Sequence, residues 1–355
     1  MYLTLINGFF LLRYAVGRRA DASRTAYWFT LFGLFLFSAF RFRVGCDWSG
    51  YYHNFLLGAE LDYQTALTYR EPVWWLVQVV FNNWGLPYPS VNILTSAIFF
   101  AGIHTLAKRQ PDRLGFLVLQ FPILIINMPM SGIRQAAAIG FLCLSFVAFN
   151  DRRMIRFVAW ILLGSTFHSS VLAFLLLAPL TIGRYSKGRV LAALMLALPG
   201  AYFMGQTDTA QVAVDRYVDT GVDAFGAIFR VGLLSLTGLF YFLLLRRKWA
   251  TNAPDDFGLV NVGAWLMLAL LPIVGVGTVI ADRLAYYLVP IQAMIFARVP
   301  YLGLSSNRTL FSVLPYIGLV VVFAIWSLNS AIFNACYVPY QSWLFGHSDF
   351  GMTGY

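Results

Sequence analysis

The chain has 355 residues, of which 59% are hydrophobic, 17% aromatic and only 11% charged, with a mean hydropathy of +0.70. Soluble domains carry about 25% charged residues, so this composition excludes a water-soluble globular protein and requires a bilayer to solvate most of the chain. The net charge of +10 does not point to nucleic acid, because the basic residues punctuate apolar runs and form no basic face.

In chain order, apolar runs predict membrane spans near 2–16, 26–42, 90–107, 114–129, 132–150, 156–168, 170–182, 190–206, 228–246, 258–279, 284–299 and 310–330. The first has no basic region before it and no small-residue cleavage site after it, so it reads as a retained span. Residues 43–89 form a long outer loop. Its segment 71–86 either lies in the interface or dips in and returns. Runs 156–168 and 170–182 read as one hairpin. A second outer loop, 207–227, has the spacing of a short amphipathic helix. Spans well under ~20 residues read as broken or re-entrant helices.

Basic clusters fall at Arg18/Arg19/Arg24, Lys108/Arg109/Arg113, Arg152/Arg153/Arg156, Arg184/Lys187/Arg189, Arg246/Arg247/Lys248 and Arg298/Arg308. If all are cytoplasmic, the number of spans between successive clusters must be even. The pattern satisfies this with about twelve crossings, both termini outside the cytoplasm and segment 71–86 not crossing. The expected fold class is therefore an all-α polytopic membrane protein, with residues 1–355 as a single transmembrane domain. No internal or inverted repeat stands out, which argues against a secondary transporter. Cys46, Cys143 and Cys336 lack metal-ligand spacing and read as small apolar filler.

A charge near the bilayer centre costs on the order of 3 kcal/mol, so each one needs a reason. The topology gathers nearly all of them at the outer level. Arg41 and Arg43 precede Gly45, Asp47 and Tyr51 at the end of the second span, where orientation disfavours arginine. A guanidinium fork binds phosphate, and Gly45 lets the chain turn close to a ligand. Alternatively, Arg41 and Asp47 simply pin the loop. Arg134, followed by Gln135, opens a long apolar helix, where exposed N–H groups already favour an anion. A bound pyrophosphate would satisfy both, and so would a carboxylate from another loop. His168 stands mid-run at the predicted outer turn, as a base, a sugar contact or a packing residue. Asp282 and Arg283 open a late span beside Tyr286 and Tyr287. Neighbours at i and i+1 on a helix do not face each other, so each should have its own partner. Flanking aromatics, Tyr51 and Tyr340 among them, fit an interfacial belt or sugar stacking. No second histidine or carboxylate sits at ligand spacing to His168, so neither metal nor cofactor is expected.

The ordered set Arg41, Gly45, Asp47, Tyr51; Glu71-Pro72; Ile133-Arg134-Gln135; His168 and Ser170; Arg283, Tyr286, Tyr287; Tyr337 and Tyr340 resembles the EpsG family of polysaccharide-polymerising membrane proteins, related to Wzy O-antigen polymerases. The chain departs from it at Cys46, where a small hydroxyl residue is common, and at Arg43, where the family varies. The resemblance implies a GT-C-like glycosyltransferase in the bacterial inner membrane, facing periplasm or exterior. Its substrates would be undecaprenyl-diphosphate-linked oligosaccharides, and a chain-length regulator protein would be a plausible partner. Arg41, Arg134 and Arg283, with Arg43 secondary, would stabilise the leaving diphosphate. His168, Asp47 and Asp282 would be the available bases. Tyr51, Gln135, Tyr287 and Tyr340 would contact glycan. An O-antigen ligase, or a flippase of the lipid-linked repeat, would use the same cations.

Overall fold

In the computed structural model the described residues are 1–17, 19–182, 188, 189, 191, 225–303 and 308–345. Helices α1 (Tyr2–Val16) and α2 (Ala20–Ala39) open the chain, followed by a two-residue strand β1 (Arg41–Phe42). The predicted outer loop 43–89 is filled by three short helices, α3 (Trp48–Gly58), α4 (Tyr63–Thr68) and α5 (Pro72–Asn83). Then come α6 (Pro89–Ala107), α7 (Arg113–Gln120) with a π-helical turn Phe121–Ile125, α8 (Ile133–Asn150), α9 (Met154–Ser165) and a tight 3-10 run Ser169–Leu180. Later follow α10 (Phe225–Phe240), α11 (Arg246–Asn252), α12 (Pro254–Val276), α13 (Thr278–Arg298), α14 (Arg308–Asn329), α15 (Ala331–Tyr337) and strand β2 (Gln341–Ser342). The expected span 190–206, except 191, and the outer loop 207–227 up to residue 224 lie outside the described residues.

Among the described residues, six helices are long and apolar enough to cross a membrane: Pro89–Ala107, Ile133–Asn150, Gly226–Asn252, Pro254–Gly275, Thr278–Tyr301 and Ser312–Asn329. Tyr2–Val16, Arg113–Ile125, Met154–Ser165 and Ser169–Leu180 are apolar but shorter. At 1.5 Å per residue the 15-residue α1 spans only about 22 Å, against a hydrocarbon core of about 30 Å. By the same measure the 12 residues of α5 reach about 18 Å, too short to cross. The chain is thus a polytopic membrane protein that is helical, among the described residues, apart from one strand pair.

The chain divides into two compact units. The first contains Met1–Phe141, Gly164–Ser169 and Ser312–Tyr355. In it α2 packs against α1, α6 and α7. The Tyr27 hydroxyl meets His104 Nδ1 at 2.8 Å, so α2 and α6 run antiparallel. Two glycines let α6 and α8 touch backbone to backbone: a Cβ on Gly102 would stand 2.6 Å from Gly140 Cα. Small residues at such crossings are how membrane helices gain close van der Waals contact. At the end of this unit marked by the basic clusters, Arg13 donates through Nε and Nη2 to Asp112 at 2.9 and 2.7 Å. Asp112 also caps α7, accepting from Gly115 N–H at 2.7 Å.

The second unit contains Leu142–Leu163 and Ser170–Phe311. Its centre is the mutual packing of α10, α12 and α13, with Gly238 against the Ala264 carbonyl and Gly263 against Ile291. Asp256 receives Arg298 at 2.6 Å and Asn150 at 2.8 Å, and Arg298 lies over the Trp249 ring. The pairs Arg13–Asp112 and Arg298–Asp256 depart from the expectation that ionisable groups near apolar segments gather at one level. They are close, partly buried ion pairs, so their desolvation is compensated locally.

One cysteine reading is overturned. Cys46 and Cys336, 290 residues apart, form a disulfide, with Cα atoms 4.8 Å apart. Only Cys143, buried, is free. The missing information was proximity: nothing local to either cysteine reveals a partner so distant in sequence.

Candidate active site

Two loops of the first unit are stitched together just beyond the end of α2. The fully buried Arg41 donates through Nε to the Val44 carbonyl and through Nη1 to the Ser38 carbonyl, both at 3.0 Å. Its Nη2 is buried without a hydrogen-bond partner. The pinning pair with Asp47 is therefore not what holds Arg41; backbone carbonyls do. The C-terminal segment clasps the same loop. β2 pairs antiparallel with β1, and Trp343 N–H and Ser342 Oγ both donate to the Phe40 carbonyl, at 2.7 and 2.9 Å. Tyr340 stacks on Phe37 and donates to its carbonyl at 2.9 Å. Gly45, at φ 103°, donates to the Cys336 carbonyl at 2.7 Å, beside the disulfide.

Gly45 also presses on the turn before α8, where a side chain would collide with the backbone of Met130 and Ser131. That contact brings Ser131 to Asp47. The serine hydroxyl donates to Asp47 Oδ2 at 3.2 Å and accepts from Asp47 N–H at 3.3 Å. Arg43, in the left-handed region at φ 51°, lies over the Phe42 ring.

Glu71 is the hub of the second part. It stands immediately before Pro72, which opens α5, a position that suits proline's missing N–H. The Trp74 N–H donates to the Thr166 carbonyl at 3.2 Å and ties α5 to the turn after α9. Around the Glu71 carboxylate, Oε1 receives Ser169 N–H at 2.9 Å and Ser169 Oγ at 3.3 Å, and lies 2.9 Å from His168 Nδ1. Oε2 receives Arg134 Nη1 at 2.7 Å. Burial by itself would raise the Glu71 pKa. The His168 hydrogen bond, the Arg134 charge and the Ser169 N–H outweigh it and hold the group at about 2. Glu71 is therefore ionised at neutral pH and only accepts.

The Arg134 guanidinium lies 5.7 Å from the Tyr51 ring centre and 5.8 Å from that of Trp74, with its side chain about one-third exposed at 32%. Beneath lies an aromatic bed that includes Trp48, Tyr51, Phe55, Trp74, Tyr88 and Phe167. Cation–π contact and the Glu71 pair together compensate for charge at a helix start whose dipole disfavours it.

The structure thus brings Arg134, His168 and Tyr51 together around Glu71, with Asp47 on Ser131. Gln135 is buried beside Arg134 on α8. Arg41 and Arg43 lie in the adjoining loop, and Tyr340 packs behind it. Asp282, Arg283 and Tyr287 belong to the other unit. There Asp282 pairs with Arg230, whose guanidinium lies over Tyr286, and the buried Tyr287 hydroxyl meets Ser170 Oγ at 2.8 Å. Sequence reasoning overlooked Glu71, Ser131 and Ser169 as site residues, and Arg230 as the partner of Asp282 in the other unit. For Glu71 a signal existed: an acid directly before the proline that opens an aromatic helix. Among the described residues, no three His, Cys, Asp or Glu side chains group as a metal site.

In comparison with known proteins, one family model, described as the EpsG family, matches residues 24–342. No curated protein and no solved structure matches the chain.

Proposed function

The chain belongs to the EpsG family, a family of Wzy-type polysaccharide polymerases, and on that premise we propose that it moves a glycan chain from undecaprenyl diphosphate to a sugar hydroxyl of a second lipid-linked repeat. The observation that carries this reading is that Arg134 and His168 meet on one carboxylate, Glu71, at 2.7 and 2.9 Å. Glycosyl transfer needs a fixed cation where the diphosphate leaves and a base where the acceptor hydroxyl attacks. A guanidinium and an imidazole held by a common partner supply both in a preorganised site.

In the step itself, the acceptor oxygen forms a bond to the anomeric carbon. The bond from that carbon to the diphosphate oxygen breaks, and its electron pair leaves with the diphosphate. The acceptor proton goes to His168. Arg134 stabilises the departing charge, with Arg41 and Arg43 adding positive potential from the neighbouring loop. Arg283 is a further diphosphate candidate, and Asp47 and Asp282 are the alternative bases. Tyr51, Gln135, Tyr287 and Tyr340 are the glycan contacts we would test. A GT-C-like architecture and independence of metal belong to the same proposal, as does a chain-length-regulating protein partner.

The Cys46–Cys336 disulfide supports a site on the outer face of the bacterial cytoplasmic membrane, because disulfides persist on the oxidising side. Purified protein in nanodiscs, given a lipid-diphosphate-linked oligosaccharide, should produce a ladder of longer lipid-linked chains that survives chelator. Glycan transferred onto a lipid A core instead would mean a ligase. Substrate crossing liposome membranes without a ladder would mean a transporter.

A further inference from the structure

The polymerase reading leaves unexplained why a carboxylate sits at the centre of the site. Glu71 is a poor base. Its two oxygens are occupied by Arg134, His168, Ser169 N–H and Ser169 Oγ, and these donors keep it strongly acidic. It is also a poor ligand for a diphosphate, being negative itself. Its geometry is that of an orienting group. The carboxylate is set by the helix start at Glu71-Pro72 and by the Ser169 backbone N–H, neither of which depends on the histidine.

We propose that Glu71 is a positioning residue for transfer: it holds the proton on His168 Nδ1, so that the lone pair of Nε2 is the one that takes the acceptor proton. This rests on the polymerase reading above and adds to it a residue that touches neither substrate. In the neutral ring one nitrogen carries the proton and the other accepts, and the hydrogen bond made by the first decides which. As Nε2 takes the acceptor's proton, the ring becomes an imidazolium, and the Glu71 anion 2.9 Å from Nδ1 stabilises it. The proton returns to solvent after product leaves, so Glu71 remains ionised throughout. The same logic of a base held by a third, orienting group recurs in other sites where a histidine activates a nucleophile.

Among the described residues, the charged and titratable groups around this pair include Arg134 from α8, which contacts Glu71, and Tyr51 from α3, on which both Arg134 and Asp47 act. Arg134 disfavours the imidazolium and Glu71 favours it. Removing the Glu71 charge while keeping Arg134 must therefore make His168 harder to protonate.

The test has two arms. In the first, Glu71→Gln is compared with wild type for the pH dependence of ladder formation. The expected result is a kcat lowered at least tenfold, with little change in KM. The acid limb of kcat/KM should also move to lower pH by about one unit. A lowered rate with the acid limb unmoved would assign Glu71 a merely structural role and overturn the proposal. In the second arm, wild-type protein carrying 15N-labelled histidine is observed in nanodiscs. His168 is identified among the four histidines by its absence in His168→Gln. The neutral ring should carry its proton on Nδ1; a proton on Nε2 overturns the proposal even if Glu71→Gln does not fold. Wild type forming no ladder would remove the polymerase reading itself, whereas a ladder with a normal acid limb in Glu71→Gln removes only the dyad.

Discussion

Replacing Gly45 by alanine tests whether the close approach of two backbones builds the site. Gly45 has φ 103°, a conformation that L residues rarely adopt, and forcing a side chain there costs about 1–3 kcal/mol. The new Cβ would also lie 2.9 Å from the Met130 carbonyl carbon and 3.0 Å from Ser131 Cα, and closer still to the carbonyl oxygen. The two loops must part by about an ångström to restore ordinary contact distances. That shift breaks the Gly45 N–H bond to Cys336, now 2.7 Å, and the Ser131–Asp47 bond, now 3.2 Å, each contributing about 1 kcal/mol. The sum is a loss of about 3–5 kcal/mol. The control is Gly50→Ala within α3, where an added Cβ meets nothing within 4 Å and alanine is the better helix former. Thermal unfolding in detergent should place Gly45→Ala several degrees below wild type and Gly50→Ala at or above it, and ladder formation should fall only in the first. Gly45→Ala melting and polymerising like wild type would refute the claim that this contact sets the loop.

Arg134→Ala should reduce polymer formation at least a hundredfold, and Arg134→Lys should recover only part, because lysine keeps the charge but loses the planar fork over Tyr51 and Trp74. Near-normal ladders from Arg134→Ala would remove the diphosphate role. Denatured, unreduced protein should take up one maleimide label, at Cys143, and reduced protein three. Cys336→Ser should lower the melting temperature by the equivalent of about 2–4 kcal/mol, and three labels without reduction would disprove the disulfide. Glu71 is held at about 2 from an ordinary 4.5, so its charged state adds about 3 kcal/mol. Because the folded pKa is the lower one, that contribution is complete above pH 4.5 and is lost as pH falls through 2. Melting followed from pH 7 to pH 3 should show an acid-sensitive decline in wild type that is smaller in Glu71→Gln; equal declines would count against it.

Much of the helical plan was legible from the order of residues. Apolar runs must be solvated by lipid, and lipid demands that backbone groups be satisfied within a helix. The predicted runs 2–16, 90–107 and 132–150 therefore reappear as α1, α6 and α8, within a residue or so at each end. The break at His168 was visible too, because two short apolar runs meet there, and the structure has a turn at 166–168 before the 3-10 run. Helix length was less legible. Charge parity led to twelve crossings, whereas among the described residues six helices have both the length and the composition.

The site was legible as a set of residue types and not as a set of pairs. Arginine near an apolar boundary is conspicuous because its desolvation is unfavourable, so Arg41 and Arg134 announced themselves. What each one binds depends on which distant loop folds against it. Arg134 meets Glu71 across 63 residues, His168 meets the same carboxylate across 97, and Cys46 meets Cys336 across 290. Glu71 itself looked like the polar start of an ambiguous segment. The sequence alone determined the solvent of this protein, its helices and its family, because these follow from local hydrophobic runs and an ordered set of motifs. Only the tertiary structure decided that one carboxylate collects the arginine and the histidine, because hydrogen bonds act over about 3 Å of space and not along the chain.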